Sequence, residues 1–342
     1  MHIPDGYLSP STCAVLYAGA GVGWYGALRR VKRAFSTRLI PLISVFAAFS
    51  FVLMMFNLPL PGGTTGHALG VTIAAIVLGP AGAILAISIA VTIQALFFGD
   101  GGITTLGANC FNMAIVGSLV AYATYRLIAA GAAIASRRRV FAAAIAGYVA
   151  ANAAALVAAI EFGIQPMLFH DARGVPLYAP YSLSVAIPAM MIGHLAVAGI
   201  AEGAIAAGLV AYLQIADPQL LRSTSGLSDT SDFALSSAPQ RSLRKLWITV
   251  ALLMLLTPLG ILAGGTAWGE WSPSQANAAG ASTGLQRLAD VWTAPIPNYA
   301  PQFVKSPSFG YLLSAMFGVG MLMAFSLVVQ RLVQRRRSAG QP

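Results

Sequence analysis

Charge is scarce in this sequence. Of 342 residues, 20 are basic and 10 acidic, 9% in all, against roughly 25% in soluble domains. The deficit excludes an ordinary soluble fold, and the 57% of hydrophobic residues points to a membrane. Lysine is nearly absent. Lys32, Lys245 and Lys305 are the whole set, none follows a glycine, and no GxxxxGK[ST] phosphate loop exists, so ATP is not bound by that route. HExxH is missing too, which leaves a zinc-dependent membrane protease without its motif. The two cysteines, Cys13 and Cys110, lie inside apolar stretches and build no disulfide framework.

The net charge of +10 does not imply nucleic acid. Basic residues fall in short clusters between apolar segments, as the positive-inside rule expects. Spans are read at about 11–28, 39–56, 68–79, 81–98, 106–134, 140–162 and 183–213, then about 246–264 and 308–330. Placing Arg29, Arg30, Lys32, Arg33 and Arg38 inside puts Met1 outside. Alternation then places Arg126, Arg137–Arg139, Arg222, Arg241, Arg244, Lys245, Arg331 and Arg335–Arg337 inside. Only Arg173, Arg287 and Lys305 remain outside. No basic-then-apolar leader precedes the first span, so Met1 is expected to be the mature end.

The same count argues for two spans, not one, over 67–98, broken at Gly79-Pro80. The first of them is too short to cross a core of about 30 Å. The loop from Pro59 to His67 is therefore expected to dip into the protein as irregular backbone satisfied by its surroundings. Residues 214–245, rich in Ser, Asp and Gln, read as a cytoplasmic linker. A two-span module, 246–342, follows with an outer loop of about 265–307. In that loop Trp268, Trp271, Trp292 and Tyr299 are expected at the membrane interface. The fold class is an all-α polytopic bundle of about seven spans plus two.

One end of the chain is a chelator in itself. The Met1 amine, the His2 backbone nitrogen and His2 Nδ1 close one five-membered and one six-membered ring. Three coplanar nitrogens suit Ni²⁺ or Cu²⁺. The bulk of His2 is expected to hinder removal of Met1, and Pro4 and Gly6 bend the tail. His67, on the same outer side, is the candidate fourth donor. A second-position histidine on a trailing tail is the competing, bland reading.

Other polar residues carry weaker signals. His194 and Glu202 share one span but lie about 12 Å apart along a helix, so helix–helix hydrogen bonding is expected of each. Asn109, Cys110 and Asn112 sit near an outer helix end as possible cavity lining, although a buried cysteine is more often a packing residue. Glu161 is read at an outer span end, snorkelling. His170 and Asp171 are read as solvated.

Three segments carry a resemblance. MHIPDGYLSP at 1–10, PLPGGTTGHALG at 59–70 and GDGGITTLGANCFNMAIVG at 99–117 resemble, in order, the substrate-capture component of nickel/cobalt energy-coupling-factor transporters, the NikM/CbiM family. The resemblance covers about 1–213. It implies a metal held by the amine of Met1, the amide and imidazole of His2, and His67. It also implies a membrane T subunit and a cytoplasmic ATPase in a prokaryotic inner membrane, with no cofactor and no enzymatic step in this chain. Residues 246–330 more loosely resemble the small N subunit, fused in some members. Nickel is expected over cobalt, because four planar nitrogens favour Ni²⁺. A stand-alone secondary transporter would need paired helix breaks, and a metalloenzyme an open metal position beside a base; neither pattern is evident.

Overall fold

The computed structural model describes residues 1–33, 39–62, 64–222, 240–269, 271 and 283–338. Most of the expected linker, and residues 270 and 272–282 of the outer loop, lie outside these.

The chain begins with a buried tail and then forms α1, Pro10–Arg33. Ser9 starts the helix: its hydroxyl accepts the Thr12 N–H at 3.1 Å, and Pro10 fills the first turn, where its missing N–H costs nothing. The further elements are α2 (Leu39–Met54), α3 (Val71–Phe98), α4 (Leu106–Ala129), α5 (Arg137–Leu168), α6 (Leu183–Ala216), α7 (Gln240–Leu256) and α8 (Pro307–Ser338). Six helices among the described residues are long and apolar enough to span a membrane, and α2 is a shorter apolar helix. This is an all-α polytopic membrane protein.

Helix α3 is where the span count is decided. Its backbone leaves the helical region at Gly79 (φ 72°, ψ 169°), and Pro80 follows. A Cβ on Gly70 would stand 2.8 Å from the Phe49 ring and 3.1 Å from Ser50 Oγ. At the other end, the Phe98 ring centroid lies 5.6 Å from that of Phe51. Both ends of α3 therefore meet the same turn of α2. A straight helix over that length would separate them by about 42 Å, so α3 doubles back at Gly79.

The segment before α3 is not irregular, as the sequence reading expected. Leu58–Leu60 (β1) pairs antiparallel with Thr64–Gly66 (β2), Leu58 facing Gly66. The ribbon satisfies by pairing what burial would otherwise leave unpaired. Thr65 also bridges Ala267 of the C-terminal loop.

The C-terminal helices pack on α2. Tyr311 donates to Met55 O at 2.8 Å, and Gly318 meets the Phe51 ring so closely that a Cβ would overlap it at 2.1 Å. The loop between α7 and α8 is drawn onto α3 and α5. Trp268 packs edge-on against Phe162, Trp292 donates to Leu96 O, and Tyr299 is buried. Tyr299 is thus buried in protein, whereas Trp292 stays 43% exposed.

Candidate metal centre

The N-terminal tail is threaded into the protein. Met1, His2 and Ile3 are 4%, 1% and 0% exposed. Ile3 is pinned on both sides: its N–H donates to Asn109 Oδ1 at 2.8 Å, and its carbonyl accepts from Asn109 Nδ2 at 3.1 Å and Gly102 N at 2.9 Å. The Thr105 hydroxyl donates to the same carbonyl. Asp5 accepts the backbone N–H groups of Ile103 and Thr104 at 3.0 and 2.7 Å. Gly6 turns in the left-handed region (φ 87°), where a Cβ would strike Leu285 O at 2.4 Å. Such a tail cannot trail. Its backbone is fixed by the glycine- and threonine-rich segment 99–105.

His2 and His67 meet inside this pocket. His67 Nε2 lies 3.3 Å from His2 Nδ1, with ring centroids 5.1 Å apart. Metal–imidazole bonds of about 2.0 Å place adjacent ligands of a planar site about 2.8 Å apart, so one ion fits between these nitrogens with a small adjustment. His67 Nδ1 lies 3.2 Å from Ala68 O. A proton on Nδ1 donates there and leaves the lone pair on Nε2, facing His2. Burial first, then the neighbouring His2 and Met1 ammonium, hold the His67 pKa well below its ordinary 6.5. The neutral imidazole that a metal needs is thus the resting form.

Asp100 completes the pocket. Its Oδ1 lies 3.1 Å from His2 Nδ1. Its Oδ2 accepts the Tyr299 hydroxyl at 2.6 Å and Gln94 Nε2 at 3.3 Å. Burial raises its pKa, against the lowering effects of Tyr299 and the Met1 ammonium. Sequence reasoning missed both residues. Asp100 sits in the quoted 99–117 segment, but an acidic residue after a glycine has no ligand spacing of its own. Tyr299 lies 199 residues away and no local pattern announces it.

The remaining candidates divide. Asn109 belongs to the pocket through Ile3. Asn112 instead donates to Glu161 Oε2 at 2.7 Å within the bundle, and Cys110 is fully buried in the core. Glu161 does not snorkel: α5 runs on to Leu168, so Glu161 lies within the helix, 5% exposed. His194 bonds its own helix, Nδ1 to Met190 O at 2.7 Å, not a neighbouring one. Glu202 does reach across, to the start of α3. His170 and Asp171 are exposed, and Asp171 closes a loop by accepting Arg173 N and Val175 N. Among the described residues no three His, Cys, Asp or Glu side chains gather as a metal cage.

Known proteins resemble this chain over most of its length. The family model for the cobalt uptake substrate-specific transmembrane region, CbiM, matches residues 2–220. The chain belongs to the CbiM family. Within reach of that family, it is 53% identical over 341 residues to the fused nickel transport protein NikMN of Rhodobacter capsulatus, covering 95% of each chain. It is 41% identical to the probable fused nickel transport protein LarMN of Lactiplantibacillus plantarum, over 88% of this chain and 84% of that one. A crystal structure described as a truncated transition metal transporter is 52% identical, with a TM-score of 0.59, and covers 62% of this chain and 98% of its own.

Proposed function

We propose that this CbiM-family protein captures Ni²⁺ at the outer face of a prokaryotic inner membrane. Its ligands are the Met1 amine, the His2 amide nitrogen and Nδ1, and His67 Nε2. The single observation that carries the reading is the buried 3.3 Å approach of His67 Nε2 to His2 Nδ1, with the tail held in register by Asn109. Four nitrogens in a plane favour Ni²⁺ over Co²⁺. Names of full-length relatives support nickel, and the family description supports cobalt as the second reading.

Residues 1–213 act as the capture domain and 246–342 as an N-type module, joined by the linker 214–245. Energy comes from a separate cytoplasmic ATPase through a membrane T subunit, because this chain has no phosphate loop. The metal is cargo, and no resident cofactor is needed. Metal analysis of the purified protein after growth in mixed trace metals tests the assignment. One nickel per chain is expected, and a metal-free protein, or one loaded only with other ions, refutes it.

A further inference from the structure

Glu202 is 1% exposed and sits on α6, far from both histidines in sequence. Its Oε2 accepts the backbone N–H groups of Leu69 and Gly70, each at 2.8 Å, and its Oε1 accepts that of Thr72 at 3.1 Å. These amides belong to the turn between β2 and α3 and to the first turn of α3. The first N–H groups of a helix have no partners within it, and Gly70 has no side chain with which to cap them. Gly70 also adopts the left-handed conformation (φ 69°, ψ 9°), a geometry in which successive N–H groups converge on one anion. That anion is the Glu202 carboxylate. Its own backbone is held hard against α5: a Cβ on the neighbouring Gly203 would lie 2.6 Å from Ala144 O.

The decisive feature is which peptide group is gripped. The Ala68–Leu69 peptide donates its N–H to Glu202 Oε2. The carbonyl of that same peptide is the partner of His67 Nδ1 at 3.2 Å. Glu202 therefore sets the plane that fixes the tautomer and direction of His67. The chain of contacts runs from Glu202 through this peptide to His67 Nδ1, and from Nε2 to His2. Hydrogen bonds in such a series polarise one another.

We infer that Glu202 is a positioning residue for the metal site, acting through the Ala68–Leu69 peptide to aim the His67 lone pair. The inference rests on His67 being a ligand, as proposed above. Outer-shell partners of metal-bound histidines typically contribute 10–100-fold to affinity, and the same is expected here.

The test compares Glu202→Gln, Glu202→Ala and His67→Ala, each with Ni²⁺ alone as probe, reading affinity, the ligand-field absorption of bound Ni²⁺ and the melting temperature. Glu202→Gln keeps the shape and one acceptor oxygen. It should fold, bind Ni²⁺ about tenfold or more weakly, and show a spectrum displaced towards that of His67→Ala. Glu202→Ala should do so more strongly. A purely structural cap would change melting but not the spectrum, so either folded Glu202 variant with wild-type affinity and spectrum overturns the inference. Should His67→Ala itself bind normally, the proposed ligand set is what fails. Amide exchange in the unsubstituted protein covers the case of misfolded variants. Exchange at Leu69 and Gly70 should slow when Ni²⁺ is added, and unchanged exchange there overturns the clamp.

Discussion

Asp100 Oδ1 stands 3.1 Å from His2 Nδ1 while Asp100 Oδ2 holds the Tyr299 hydroxyl. One carboxylate thus ties a candidate ligand at the extreme N-terminus to the C-terminal outer loop. Tyr299 is itself set by stacking on Phe98, 4.6 Å between centroids, and by Gln94 Nε2 at 3.0 Å. The second module consequently reaches the metal pocket by a hydrogen bond and not only by packing.

Removing that hydroxyl while keeping the ring isolates its contribution. Tyr299→Phe preserves the stacking and should lower Ni²⁺ affinity by about tenfold, the lower end of outer-shell effects. Asp100→Ala removes a buried negative charge 3.1 Å from the candidate ligand atom, a charge that favours a bound cation, and should cost more, about a hundredfold. Titration calorimetry with Ni²⁺ checks both, and an Asp100→Ala protein that binds normally removes Asp100 from the site.

His67→Ala deletes one of four donors and leaves the amine, amide and imidazole of the tail. Tight binding should be lost and weak binding retained, with the melting temperature of the metal-free protein little changed. Unchanged nickel content in the purified variant would contradict the four-nitrogen set.

The depressed pKa of His67 gives a stability prediction with a definite sign. In the unfolded chain the imidazole takes a proton near pH 6.5, whereas in the folded protein it resists protonation well below that value. The unfolded state then binds more protons, so its population gains as pH falls below about 6.5. Metal-free protein should lose melting temperature between pH 7 and 5, and His67→Ala should lose less. Equal slopes would mean that His67 is not buried in neutral form.

Much of this was legible before any coordinates. The apolar helices and the break at Gly79-Pro80 follow from hydropathy and the placement of arginine, because burial in lipid leaves few alternatives to helix. The meeting of His2 with His67 was legible for a different reason: a terminal amine beside histidine is a chelator by its bonds alone, and it calls for a further donor. What stayed hidden depends on tertiary contact. Glu161 looked like a helix end because the apolar run weakens there, yet α5 continues past it. Trp268 and Tyr299 looked interfacial because composition cannot tell a lipid headgroup from a protein face. Asp100 and Glu202 act on residues 98 and more than 130 positions away, and no periodicity encodes that.

Transport should depend on a partner that hydrolyses ATP. A substitution in that partner's phosphate loop should abolish concentrative nickel uptake in cells carrying this chain. Uptake that persists against a gradient would favour a secondary transporter.

The central claim is that the chain's own first two residues chelate the metal, and register tests it most directly. Inserting one alanine between Met1 and His2 keeps every side chain but moves the free amine away from the imidazole and breaks the fused chelate rings. The helical bundle is untouched, so the fold should persist. Ni²⁺ affinity, measured by calorimetry on untagged protein, should fall by at least about tenfold, or about 1.4 kcal/mol. An uncleaved N-terminal tag should do the same and a C-terminal tag should not. Wild-type affinity in the inserted or N-terminally tagged protein would contradict the terminal chelate, even if nickel is the cargo.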